Sequence, residues 1–177
     1  MDPGPERNVE VESLAAGDPA AYAALYARLA RRLLRVAGAM LADAAEAEDA
    51  VHDVFVALGR GRERLRYVED LDAYVFASLR HAIAARIERR RVERGYLERL
   101  ASMAAPASHS PEPADEGELS AALAALPPEQ REIVVMKIDG GLTFAQIAQV
   151  LGIRPNTAAS RYRYAIEKLR KFLEDRT

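Results

Sequence analysis

Six side chains within ten positions could hydrogen-bond nucleic acid: Arg154, Asn156, Thr157, Ser160, Arg161 and Arg163. Asn and Arg can each make bidentate contacts to base edges, while Ser, Thr and Arg also hold phosphate oxygens. Two other clusters carry titratable groups. Glu48, Asp49, His52 and Asp53 are the first, with Asp49 and Asp53 four apart and so on one helix face. Arg80, His81, Arg86, Arg89, Arg90, Arg91 and Arg94 are the second, preceded by Arg60-Gly61-Arg62-Glu63-Arg64 and by Tyr67 and Tyr74. Cations interleaved with aromatic rings hold single-stranded nucleic acid, through phosphate attraction and base stacking. The plainer alternatives are solvated charged faces and, for Tyr74, core packing.

Covalent or metal chemistry has little support. His52, His81 and His109 are the only histidines, and there is no cysteine. One His with two carboxylates is a weak ligand set, so no metal is expected. No nucleophile motif or glycine-rich phosphate loop accompanies the histidines, so the chain reads as no enzyme and needs no cofactor. An acidic helix face beside an exposed apolar edge reads better as a protein-docking surface.

The elements that must position these groups are helices. Thr143 caps a helix carrying Ile147, Ala148 and Leu151; Gly152 stands where the chain leaves it, and Pro155 fits the first turn of the next helix. This is helix-turn-helix grammar, whose second helix enters a major groove, with Tyr164, Ile166, Leu169 and Phe172 expected to bury the rest of that helix. Upstream, a short helix near Val9–Ala16 ends at Gly17, and Asp18 caps a helix with Pro19 at its first position. Tyr22, Leu25, Tyr26, Leu29, Leu33, Val36 and Met40 form its apolar stripe. Asp43 caps the next helix, with Ala47, Ala50, Val51, Val54, Phe55 and Leu58 on one face and Gly59 and Gly61 as its break. After a basic loop, Arg60 to Arg66, a further helix starts near Asp70 or Asp72 and turns Tyr74, Val75, Leu79, Ala82, Ile83 and Ile87 inward.

Composition shifts at Ala104–Asp115, where Pro, Ser and Ala follow no period, as in a flexible linker. The expected fold is all-α, with an N-terminal segment over 1–17, one small helical domain over 18–99, a linker over 100–115 and a second helical domain over 116–177. The net charge of −2 argues against a general nucleic-acid coat. The start of the chain lacks the basic and apolar regions of a signal peptide, and no apolar run approaches the roughly 20 residues that span a bilayer. The absence of cysteine fits a reducing cytoplasm, and no membrane partner is expected.

AEAEDAVHDVF at 45–55, DLDAYVFASLRHAIAARIERRR at 70–91, ALAALPPEQREIVVMKIDGGLTFAQIAQVLGI at 122–153 and NTAASRYRYAIEKLR at 156–170 occur in that order. Together they resemble a sigma factor of the sigma-70 family, extracytoplasmic-function group, over nearly the whole chain. The resemblance implies a region 2 helical bundle and a region 4 helix-turn-helix on a linker. It implies that Glu48, Asp49, Asp53 and Phe55 dock on the β′ clamp helices of core RNA polymerase. Arg60, Arg62, Arg64, Tyr74, Arg80, His81, Arg86 and Arg90 would engage the −10 element and its melted strand. Thr143, Arg154, Asn156, Thr157, Ser160, Arg161 and Arg163 would serve the −35 element. Promoter DNA and core polymerase are the implied partners, with an anti-sigma factor as a further one. The chain departs from the usual pattern at Gly59, at Tyr74-Val75, at His81 and at Ala158, where the family more often carries an aromatic, Trp-Leu, Asn and Val. The alternative function is a helix-turn-helix regulator that does not itself initiate transcription.

Overall fold

The structure is a computed structural model that describes residues 5–41, 43–103 and 118–174. Among these, the regular elements are helices: α1 Pro5–Ala16, α2 Pro19–Leu41, α3 Ala44–Arg60, a 3₁₀ segment Arg62–Tyr67, α4 Leu71–Met103, α5 Glu118–Ala124, α6 Pro128–Ile138, α7 Phe144–Leu151 and α8 Pro155–Glu174. Their starts follow local chemistry. The Asp18 carboxylate accepts from the Ala20 N–H, Asp43 from Glu46 and Asp70 from Ala73, each within 2.9 Å. These bonds satisfy N–H groups that the first turn of a helix leaves without a partner.

Several boundaries differ from the sequence reading. Helix α1 begins at Pro5 rather than near Val9. Gly59 does not break α3, which runs through Arg60 and ends on Gly61, whose N–H bonds the Ala57 carbonyl. A lone glycine costs a helix only about 1 kcal/mol, and packing of the buried Val54 and Leu58 outweighs it. The basic loop after it is mostly the 3₁₀ segment, pinned by fully buried Leu65. Helix α4 reaches Met103 and so takes in the first residues assigned to the linker, whose remainder lies outside the described residues.

The core of α1–α4 is built from Leu25, Leu29 and Leu33 of α2, Val51, Val54 and Leu58 of α3, and Val75, Phe76, Leu79 and Ile83 of α4. Four residues expected inside are instead substantially exposed: Tyr26 (50%), Tyr74 (36%), Ile87 (44%) and Tyr164 (62%). In α4 the inward positions belong to Val75, Phe76 and Leu79, and in α8 Ala165, rather than Tyr164, points into the core. A second apolar cluster, Ala122, Leu126, Val134, Ala165 and Leu169, holds α5, α6 and α8 together.

The first cluster does not stop at α4. It continues through Ile133, Val135 and Met136 of α6 and through Leu142, Ile147, Ala148, Val150 and Ala158, so the C-terminal helices pack directly on the N-terminal ones. Polar bonds frame this junction. Arg32 donates through Nε to the Gly140 carbonyl at 2.7 Å, and Arg35 to the Asp139 carbonyl at 2.9 Å. Arg80 pairs with Glu132 at 2.6 Å, and Gln146 donates to both Asp70 oxygens at 3.1 and 3.3 Å. Gly140 is obligatory in this turn, since a Cβ there would lie 2.5 Å from the Met136 carbonyl oxygen.

Candidate nucleic-acid and protein interfaces

The helix-turn-helix is assembled from its ends. Thr143 Oγ1 accepts from the Gln146 N–H at 3.2 Å while Gln146 Oε1 accepts from the Thr143 N–H at 2.9 Å, a complete capping box. Gly152 closes α7 in the left-handed region at φ 64. Its N–H bonds the Ala148 carbonyl, and Ile153 bonds the same carbonyl at 3.0 Å, which turns the chain into α8. Ala158, fully buried, seats α8 on α7, and the Phe144 and Tyr162 rings meet edge to face at 5.5 Å against the same cluster.

This arrangement leaves Arg154, just before α8, and Asn156 and Arg163 on it exposed, with Thr157 half-buried. Ser160 donates its hydroxyl to the Thr157 carbonyl at 3.0 Å, and Thr143 is committed to its cap. Arg161 pairs with Glu129 of α6 at 2.9 Å. The free donors nearest the start of α8 are therefore Arg154 and Asn156, the end of such a helix that reaches bases.

The cationic group expected at the −10 element divides in two. Arg60, Arg62, Arg64 and His81 are exposed. Arg64, Tyr67 and Tyr74 line an open groove of ≈ 550 Å³ together with Ala73, Ala77, the carboxylates Glu69 and Asp70 and, from α7, Gln149. Tyr67 is 87% exposed, which leaves its ring free to stack. It stood in the aromatic-cation pattern but outside the resemblance-based set. Arg86 and Arg90 do not join this group. Arg86 bonds Asp53 at 2.6 Å with its side chain only 10% exposed, and Arg90 bonds Glu46 at 2.8 Å, Asp43 at 3.5 Å and the Leu41 carbonyl at 3.0 Å. They fasten α4 to α3. Arg80 faces α6.

On α3, Glu48 and Asp49 are exposed, whereas Asp53 is engaged by Arg86. Phe55 packs against Tyr26 of α2 with ring centroids 4.9 Å apart, and Tyr26 stays half exposed. Helix α3 thus presents Glu48 and Asp49 to solvent, and the Tyr26–Phe55 pair lies further along it. Sequence reasoning places Tyr26 inside because it falls on a helical apolar stripe, where a core role is the simplest expectation.

The chain matches Sigma-70 region 2 over residues 25–93 and Sigma-70 region 4 over residues 116–169. It is 30% identical over 156 residues to the RNA polymerase sigma factor CarQ of Myxococcus xanthus, covering 86% of this chain and 89% of that one. With the ECF RNA polymerase sigma factor SigL of Mycobacterium tuberculosis it shares 31% over 175 residues, 93% of this chain and 96% of that one. Its fold is similar to that of CnrH, solved in complex with the cytosolic domain of CnrY, with a TM-score of 0.69 at 21% identity over 97% of this chain and 99% of that one. It is likewise similar to the sigma factor RpoE of Bartonella quintana, solved with the anti-sigma factor NepR, with a TM-score of 0.67 at 21% identity over 86% and 96%. A helix-turn-helix that leaves Arg154 and Asn156 exposed, an acidic α3 and a basic 3₁₀ segment before α4, matched by regions 2 and 4, place this chain in the extracytoplasmic-function group of the sigma-70 family.

Proposed function

We propose that this promoter-specificity subunit divides its work among three surfaces. Glu48 and Asp49 of α3, on the helix that also carries Phe55, dock on the β′ clamp helices of core RNA polymerase. The basic stretch from Arg60 to Arg64, with Tyr67 and Tyr74, engages the −10 element and the melted strand. Arg154 and Asn156 at the start of α8 read the −35 element, with Arg161 held beside them by Glu129. Residues 18–99 and 116–177 serve as the two working domains.

Sigma factors are generally non-enzymatic initiation factors. On this reading the chain contributes binding energy and strand capture, works in the cytoplasm where core polymerase is, and leaves the chemistry to polymerase. An anti-sigma factor is the partner class expected to restrain it. The observation that carries the reading is the capped helix-turn-helix with its exposed Arg154 and Asn156.

The test is run-off transcription with purified core polymerase on promoters mapped for this chain. Initiation should require the protein. Asn156→Ala should relax the −35 preference by about 1–3 kcal/mol, the worth of a bidentate base contact. Glu48→Lys with Asp49→Lys should weaken core binding in a direct titration. Sequence-specific DNA binding without any initiation would favour the plain regulator instead.

A further inference from the structure

Arg32 and Arg35 on α2 and Arg80 on α4 all point at α6 and the turn that follows it. What they meet there is an anionic surface. Arg32 and Arg35 bond the Gly140 and Asp139 carbonyls, the end of a helix where the backbone dipole is negative, and Arg35 also lies 3.8 Å from the Asp139 carboxylate. Arg80 binds the Glu132 carboxylate. Glu132 within α6 and Asp139 at its C-terminal cap are seven residues apart, or about 10 Å at 1.5 Å per residue, so Arg80 and Arg35 meet carboxylates at a comparable spacing. Arg32 is fixed in place by Asp72 at 2.9 Å and by the Phe76 ring, whose centroid lies 5.2 Å from the guanidinium. Three arginines from two helices are thus pre-aimed at oxygen atoms that carry full or partial negative charge, as phosphate oxygens do.

We propose that Arg32, Arg35 and Arg80 form a binding face for the sugar-phosphate backbone of DNA, which α6 masks in the packed chain. Glu132, Asp139 and the carbonyl end of α6 stand in for the phosphates. When the C-terminal helices leave, the face takes the backbone of promoter DNA beside the Tyr74 groove and adds sequence-independent affinity. This rests on the reading that the N-terminal half binds promoter DNA, and it explains why these cations lie outside the exposed groove.

The two sides of the same ion pairs distinguish a masked binding face from a simple structural latch. The full-length chain is titrated with a labelled 30-base-pair duplex of arbitrary sequence over a range of salt concentrations. Glu132→Gln with Asp139→Asn should expand the chain in solution scattering, tighten binding and steepen the salt dependence. Adding Arg35→Ala and Arg80→Ala to that variant should remove the gain and lower the salt slope by about 1 per arginine. Glu93→Gln with Glu98→Gln, the same change of net charge on exposed positions of α4, should leave the duplex affinity near that of the unmodified chain. Circular dichroism confirms the fold of each variant. The proposal fails if the carboxylate substitutions do not tighten binding, if the control variant tightens it equally, or if the arginine substitutions leave the opened chain's slope unchanged. Run-off transcription by the unmodified chain separately decides the promoter-binding reading.

Discussion

Asp72 ties three helices at the junction. Its side chain accepts from Arg28, which also reaches Glu10 of α1 at 3.0 Å, and from Arg32, which reaches the α6–α7 turn. Burial opposes ionisation of its carboxyl, yet the hydrogen bonds from Arg28 and Arg32 hold it below the usual carboxylate range. A carboxyl depressed in the folded state contributes stability above its unfolded value near 4, and that contribution is lost as the pH falls through its folded value. Asp72→Asn should therefore cost about 1–2 kcal/mol at pH near 7, because two partly buried guanidinium groups lose a charged acceptor. The gap to the unmodified chain should narrow as urea midpoints are measured at progressively lower pH, to about 3. Ala158 tests packing rather than charge. It is fully buried where the sigma-70 resemblance leads one to expect Val, and the Phe144–Tyr162 pair packs in the same cluster. If those rings have taken the missing volume, Ala158→Val overpacks the site and destabilises by about 1–3 kcal/mol, read as a lower thermal midpoint. A gain in stability would mean that a void had been filled.

At the scale of the element, α7 carries two duties through one side chain. Gln146 completes the capping box with Thr143 and also donates to Asp70 at the start of α4. Thr143→Ala should cost about 1 kcal/mol by removing the hydroxyl that accepts from the Gln146 N–H, while the Thr143 N–H bond to the Gln146 side chain remains. Amide exchange should rise in the first turn of α7 while the distant α2–α3 pair stays protected. The cap itself was legible in the sequence, as were Asp18, Asp43, Gly152 and Pro155, because each depends on residues within a turn of one another. The pairing of Gln146 with Asp70 was not, since 76 residues separate them and nothing local marks it. The same holds for the cations of α4. Sequence shows that Arg80, Arg86 and Arg90 are charged and spaced along a helix, which fits phosphate contact. Only the fold shows that Arg86 and Arg90 spend their donors on α3 and its preceding turn, leaving Arg64, Tyr67 and Tyr74 as the open groove. Helical period likewise identified the stripe of α2 but not that Tyr26, at its edge, emerges beside Phe55.

For the whole molecule, the packing of α6 and α7 on α2 and α4 sets a geometric conflict with promoter recognition. Elements centred at −10 and −35 are about 25 base pairs apart, or roughly 85 Å at 3.4 Å per pair. A compact chain of 177 residues has a radius of gyration of only about 16 Å, so it cannot hold both elements at once. Met103 and Glu118 bound a stretch of 14 residues that reaches at most about 50 Å when fully extended, and the dimensions of the two helical units supply the remainder. Binding both elements therefore requires α6–α8 to leave α2 and α4. The Arg32, Arg35, Arg80 and Gln146 bonds must break, and the α7 side of the Tyr74 groove, marked by Gln149, must clear. Inter-domain contacts of this mixed apolar and polar kind commonly separate when a partner offers replacement contacts. Dye pairs on α2 and α8 should accordingly report a short distance in the free protein and a long one in complex with core polymerase and promoter DNA. The lengthening should require the Glu48 and Asp49 face, because polymerase supplies the contacts that replace the lost ones. A distance that stayed short in a complex competent for initiation would contradict the opening and, with it, simultaneous reading of the two elements by one chain.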